Sequence, residues 1–413
     1  MEQLFNINLD KIPISSKKEE TNRKKNLEIF LESGFPNKKD ENWKFSDLNL
    51  IIKKNFKNIN NNFDFSSERK IEFIDEIDHN NIVMVNGLYK SSDLKFEEKE
   101  KVKIESLKSL EETNIQSNNN LYCLNKALSL GGFNLEIKDN YKCKKPIIIY
   151  NYFTSNLDNK IINNSNKIKL NQNSELTLIE YNINEKSKFI KNTFENVKIN
   201  DNSVLKCITI QKTKSDGYFY KNIFGSQGYN SSYQHFILSS GLKFNKIELD
   251  INLNKENSNC YVISGLCLGK GEHQEIKTRV NHLAPSCKSY QKIKNVLQND
   301  SNGVYQGKIF VKDIAQKTDA YQLSKALILD DQAEFNAKPE LEIYADDVKC
   351  SHGSTSGSID PDAIYYLKTR GIEQFIAKKL LINGFLNEIF ENIPETKLKA
   401  FLEKSIEEQI DGI

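Results

Sequence analysis

From Phe133 onward the chain is a succession of short runs that alternate apolar and polar residues, with almost no helical period between them. The runs include Leu135-Ile137, Ile147-Ile149, Ile168-Leu170, Leu176-Leu178, Val197-Ile199 and Val204 to Ile210. They continue through Ile247-Leu249-Ile251-Leu253, Ile276-Thr278-Val280, Tyr305-Gly307-Ile309-Val311 and Leu341-Ile343, punctuated by Asn, Asp, Ser and Gly. Alternation of this kind marks strands with one face to bury. A single sandwich of this length would be unusual. A solenoid has no such limit, because each coil contacts only its neighbours. No crisp repeat is visible, so periodicity alone leaves a β-helix and a pair of sandwiches both open.

The flanks have a different texture. Residues 1–115 predict a charged, mainly helical domain, with Asn26-Leu27-Ile29-Phe30-Leu31 on a helical period that stops at Gly34-Phe35-Pro36. Glu41-Asn42-Trp43-Lys44-Phe45-Ser46 holds the only tryptophan, a hydrophobic anchor. Ile82 to Gly87 reads as a strand and turn, residues 93–113 as loop or helix, and Leu121 to Leu130 as a short helix. The β core is predicted over 116–356. A helical domain follows over 357–413, opened by Asp360-Pro361. Ile372, Phe375, Ile376 and Leu380 share one helical face, then Phe385, Leu386, Ile389 and Phe390. Pro394 opens a last helix carrying Leu398, Phe401, Leu402 and Ile406. These apolar positions exceed what one helical hairpin buries against itself, so part of them should dock a partner, and deleting 360–413 should leave a folded β core.

Composition excludes several function classes. Lys+Arg 58 against Asp+Glu 56 leaves +2, so no global field argues for nucleic acid. Seven cysteines without CxxC spacing argue against a disulfide framework or a closed zinc ribbon. The first residues lack an apolar signal core, and no apolar run is long enough for a membrane span. The expectation is a cytoplasmic protein with reduced thiols and no membrane contact.

Chemistry concentrates at Cys350-Ser351-His352. Side chains two apart on a strand share a face, so a thiol and an imidazole can point at one spot. Both suit iron or zinc, yet two ligands make half a site, and the bland alternative is a structural pair. His282 to Cys287 is a weaker constellation of the same kind, and Cys260…Cys267 is too loosely spaced to mean anything. The turn Gly269-Lys270-Gly271-Glu272-His273 lacks the order of a phosphate loop. Asp346-Asp347 could act as an acid/base pair, but neighbours on a strand face opposite ways, so a solvated turn is the better reading.

Several longer stretches resemble the SufB/SufD family of iron–sulfur cluster assembly proteins. They are Asn281-His282-Leu283-Ala284-Pro285, Tyr305 to Val311 (YQGKIFV), Ala315 to Gln322 (AQKTDAYQ) and Lys338 to Ile343 (KPELEI). Ala345 to Gly353 (ADDVKCSHG) and Tyr365 to Ile372 (YYLKTRGI) match too, and Glu41 to Ser46 more weakly. Where the SufB-like pattern continues His-Glu-Ala, this chain reads His352-Gly353-Ser354. Tyr321 to Leu327 also lacks the SufB-like cysteine, so the resemblance is to the SufD branch.

The resemblance implies a right-handed parallel β-helix core with α-helical N- and C-terminal domains. It implies a noncatalytic scaffold that pairs with a SufB-like subunit and the SufC ATPase, and a possible homodimer when alone. It places His352, with Cys350 beside it, at the boundary where a transient iron or iron–sulfur cluster would sit. The helices carrying Tyr366, Leu367, Arg370, Ile372, Phe375, Ile376 and Leu380 would dock the ATPase. Reduced FAD would belong to the assembled complex, as no dinucleotide fingerprint occurs here. No Walker-type loop occurs either, so the chain alone should not hydrolyse ATP. The rival readings are a β-helical carbohydrate-active enzyme and a purely structural solenoid.

Overall fold

The computed structural model describes residues 4–9, 12, 14, 16–62, 71–107, 119–211, 214–391, 393 and 395–411. Its centre is a β-solenoid in which successive strands alternate between two parallel sheets. The first sheet stacks Phe133–Ile137, Ile161–Leu170, Ile190–Ile199, Ser215–Gln227, Leu242–Leu253, His273–His282, Asn302–Val311 and Glu334–Ile343. The second stacks Ile147–Phe153, Glu175–Asn184, Val204–Gln211, Ser232–Ser239, Asn259–Leu268, Lys288–Leu297, Thr318–Ile328 and Val348–Gly357. Phe244 lies opposite Tyr218 and Glu334 opposite Asn302, so one coil spans 26 residues and another 32. That variation is why no crisp repeat shows in the sequence. Inward-facing residues such as Leu178, Leu205, Ile237, Ile251, Leu266 and Ile293 fill the lumen.

One corner of the coil is built the same way turn after turn. Asn140, Asn173, Asn202, Asn230 and Asn257 all hold left-handed backbone, at φ between 50° and 60°. Asn tolerates that region better than other residues with a Cβ. The side chains also ladder: Asn173 Nδ2 donates to Asn140 Oδ1 at 2.8 Å and Asn230 Nδ2 to Asn202 Oδ1 at 3.0 Å. In the last turns the corner passes to Ser286 and Lys317, still at positive φ.

The helices close the outer faces. α1 (Lys17–Ser33) is capped by Ser16, whose side chain accepts from the Glu19 amide, and it ends at Gly34 with φ 70°. α2 (Leu48–Asn55) and α3 (Asn120–Leu128) join it over the first sheet. Arg23 of α1 donates to the Ala127 and Ser129 carbonyls beside α3 at 3.0 Å each. α4 (Pro361–Thr369) starts at Asp360, whose carboxylate accepts from the Asp362 amide. α5 (Gln374–Asn387) and α6 (Thr396–Asp411) lie on the second sheet. There Ile382, Leu386, Phe390, Leu402 and Ile406 pack against Ile148, Ile179, Ile208, Phe236 and Val296.

Three sequence expectations need correction. The segment 1–115 is not helical throughout. Asn80–Val85 pairs in parallel with the second sheet, and Leu88–Asp93 pairs antiparallel to it. Val102–Ser106, inside the charged stretch read as loop or helix, pairs antiparallel with Phe133–Ile137. Helix α3, placed with the β core by a boundary at 115/116, packs both on α1 and on the first sheet, where Asn125 Nδ2 donates to the Asn164 and Asn192 carbonyls. Third, the apolar residues of α5 and α6 cover the second sheet, so a core stripped of 360–413 would not be self-sufficient. The 115/116 boundary itself, residues 108–113 and Pro394 lie outside the described residues.

The two ends of the solenoid differ. The first is closed by the antiparallel strands Leu88–Asp93 and Val102–Ser106. At the other end Glu334–Ile343 and Val348–Gly357 are the outermost strands of their sheets, with free edges.

Candidate functional site

Cys350 and His352 lie on that last strand, two residues apart, so they share a face. Register fixes which face. Cys350 is opposite Ala320 and His352 opposite Gln322, both buried lumen-facing residues of the preceding turn. His352 is exposed, whereas Cys350 is half-buried against a small apolar group with Ala320, Ala345 and Val348. Burial, and next the Asp319 carboxylate, push the Cys350 thiol above its ordinary pKa. It is therefore a poor thiolate on its own. Among the described residues no group of three or more His, Cys, Asp or Glu side chains is gathered for a metal ion. Asp346 and Asp347 sit in the connection between the two last strands, as a turn.

The rim of this end is apolar and exposed: Ile343 is 36 % and Tyr344 62 % accessible. Tyr344 N–H donates inward to the Val311 carbonyl. In a parallel strand alternate residues bond to opposite sides, so the N–H groups of Ile343 and Leu341 face the free edge. Pro339 falls on the same phase, where a missing N–H costs nothing to the existing ladder.

The positions expected to dock an ATPase separate into two groups. Tyr366, Arg370, Phe375, Ile376 and Leu380 are exposed, while Leu367 and Ile372 are half-buried. Tyr366 carries the Arg370 guanidinium 5.2 Å from its ring centre. Gly371, at φ 83°, makes the turn between α4 and α5. Tyr366, Phe375, Ile376 and Leu380 are large exposed apolar or aromatic side chains, and α5 is anchored to the solenoid through Ile382 and Leu386.

His282 and Cys287 are structural. His282 is buried, with Nε2 2.9 Å from Ser289 Oγ. Cys287 continues a column of buried hydroxyls, Ser174, Ser203, Ser231 and Ser258, with its sulfur 3.2 Å from Ser258 Oγ. Burial lowers the His282 pKa to about 4. Its unfolded value is near 6.5, so the neutral ring contributes stability above that pH, and this is lost as pH falls from 6.5 toward 4. The loss is about 3 kcal/mol. Urea unfolding at pH 7 and pH 4.5 should show it, and His282→Gln should make the pH dependence shallower over that interval.

Two polar clusters escaped the sequence reading. One joins the tryptophan segment to the solenoid. Lys246 Nζ stands 3.8 Å from the Trp43 ring centre, 2.9 Å from Glu275 and within hydrogen-bond reach of the Asn42 carbonyl. Glu275 also accepts from Ser46 Oγ and from Gln306 at 2.6 Å, and Ser46 Oγ is 2.7 Å from His273 Nε2. Burial opposes ionisation of Glu275, but Lys246 and its other partners bring its pKa down to about 2. His273 thus belongs to a clamp, not to a phosphate loop.

The second cluster fills the middle of the lumen. Lys221 lies 2.6 Å from Glu180 and 3.3 Å from Glu195, and Glu180 also faces Lys191 at 3.5 Å. Burial alone would raise the Glu180 pKa; Lys221 and Lys191 hold it at about 2. Burial and the nearby Lys221 lower the His235 pKa to about 3. The signal was present in the sequence: Glu180, Lys191, Glu195 and Lys221 occupy the inward phase of their strands, where one neighbouring turn carries Ile149, Ile162, Ile223 and Ile247 respectively.

Comparison with known proteins bears on the whole chain. Residues 152–385 match the family model "SUF system FeS cluster assembly, SufBD core domain", and residues 2–149 match the SufBD N-terminal region. The Escherichia coli iron–sulfur cluster assembly protein SufD is 27% identical over 94% of this chain and 92% of its own length. The Arabidopsis thaliana chloroplastic protein ABCI7 is 25% identical over 91% of this chain and 83% of its own. A Synechocystis protein of the SufBD family is 28% identical over 54% of this chain and 49% of its own. No described helix is long and apolar enough to cross a membrane.

Proposed function

The chain belongs to the SufBD family of iron–sulfur cluster assembly proteins, and from that premise we propose that it is a noncatalytic, SufD-like scaffold subunit. In this reading it pairs with a SufB-like subunit through its open solenoid end, supports iron acquisition there, and holds a SufC-type ATPase on its C-terminal helices. Iron is cargo, and any reduced FAD belongs to the assembled complex. The complex works in the cytoplasm. One observation carries the proposal: a histidine and a cysteine share the lumen-side face of the last turn, where, among the described residues, two strand edges are free. Half a ligand set on an open edge suits a site completed by a second chain.

The exposed position of His352 means that its removal costs the core little. The complex containing His352→Ala is therefore expected to assemble and hydrolyse ATP normally while carrying less iron and acid-labile sulfide. Cys350→Ser should have a smaller effect. Anaerobic purification with iron and sulfide assays checks both, and full cluster content in His352→Ala would remove the site from this subunit. A separate variant tests the edge. Ile343→Pro deletes an edge-facing N–H without breaking the ladder to Val311, so the solenoid should stay folded while partner affinity falls. Unchanged affinity would put the interface elsewhere.

A further inference from the structure

Directly beneath His352 the lumen holds two glutamines in one column. Val262, Gln291, Gln322 and His352 are successive partners in parallel register, so their side chains stack on the same side of the sheet. In-register neighbours are about 4.8 Å apart, the spacing at which glutamine amides bond into ladders. Gln291 and Gln322 are fully buried, and both the carbonyl and the amino group of each have no hydrogen-bond partner. Buried amides are rarely left so. Their choices are few. Val262 stops the column below. Across the lumen stands Gly307, where a Cβ would come within 2.7 Å of Gln322 Oε1; the Tyr305 hydroxyl borders the same space and lies 3.2 Å from Thr278 Oγ1. The in-register neighbour above Gln322, toward the open end, is His352.

We propose that Gln322, backed by Gln291, is the positioning residue for His352. In this ladder the Gln291 amide bonds to that of Gln322, and Gln322 Oε1, rotated from Gly307 toward the open end, accepts the ring N–H that faces the lumen. The proton is thereby fixed on the inner nitrogen, and the outer nitrogen presents its lone pair to the open end. Histidines that bind metal commonly have their other nitrogen held in this way. The inference rests on the reading of His352 as a shared ligand, but the ladder itself can be tested without metal or partner.

The experiment uses the full chain with histidine labelled in the ring with ¹⁵N, at a pH well above the imidazole's ordinary pKa. The His352 signals are assigned by their loss in His352→Ala. The expected result is a bias of about tenfold toward one tautomer, the ratio that one net hydrogen bond supports. Gln322→Met, close in shape but without an acceptor, should lose the bias, and Gln322→Glu, which restores the acceptor, should recover it. An unbiased wild-type ring, or a bias that survives in Gln322→Met, overturns the proposal. If Gln322→Met does not fold, Gln291→Met provides the second variant and should reduce the bias by freeing the amide beneath. A loss of bias with iron loading of the complex unchanged upholds the ladder and removes His352 from the ligand set.

Discussion

A chain lacking residues 360–413 is expected to be insoluble or unfolded, although everything deleted lies outside the solenoid. Helices α5 and α6 bury Ile382, Leu386, Phe390, Leu402 and Ile406 on the second sheet, and their removal uncovers Ile148, Ile179, Ile208 and Phe236. Each such side chain contributes about 1.5–3 kcal/mol by burial. The total lost is on the order of 10 kcal/mol, comparable to the net stability of a domain. A milder change separates stability from docking. Tyr366→Ser, Phe375→Ser and Leu380→Ser together alter positions that are already about half or more exposed, so the triple variant should remain folded. It should fail to recruit the ATPase. Size-exclusion chromatography, circular dichroism and ATPase pull-down read both outcomes. A soluble, folded deletion would show that the helices are not part of the core.

Replacement of Lys221 by methionine should destabilise the chain by about 3–5 kcal/mol, the usual cost of leaving a buried charge without its partner. Lys221 bridges Glu180 and Glu195 in the lumen, and its loss leaves the two carboxylates with Lys191, which is 3.5 Å from Glu180, as their shared cation. Adding Glu180→Gln should recover part of the loss, because the two sites share one network. Equilibrium urea unfolding of the single and double variants measures this. A loss under about 1 kcal/mol would mean that water reaches the cluster and screens it.

The solenoid was legible because alternation of apolar residues is a local property, repeated through Leu176-Leu178 and Ile247-Leu249-Ile251. Family resemblance, and not periodicity, chose it over two sandwiches. Cys350 and His352 were legible for the same local reason, a spacing of two on a strand. What stayed hidden depends on contacts between distant residues. Val102–Ser106 is a strand only because Phe133–Ile137 offers it an edge, and its charged composition gives no hint of that. Asn26 to Leu31 and Phe385 to Phe390 both read as helix, yet the sequence did not say which sheet each would cover. Nor could it show that Gln322 underlies His352, because that follows from a register set 30 residues apart.

The open end has a consequence for how motion is distributed along the molecule. In a stack where each coil leans on its neighbours, an end coil with one neighbour opens more often than those between two. Backbone amides of Glu334–Ile343 and Val348–Gly357 should therefore exchange with solvent faster than those of Ser232–Ser239, which have a strand on either side. The opposite end has antiparallel strands to quiet it. Fraying is thus confined to the coil that carries His352 and Cys350. A partner strand laid along those edges would slow exchange there first, and the appearance of protection would report that the two chains had met.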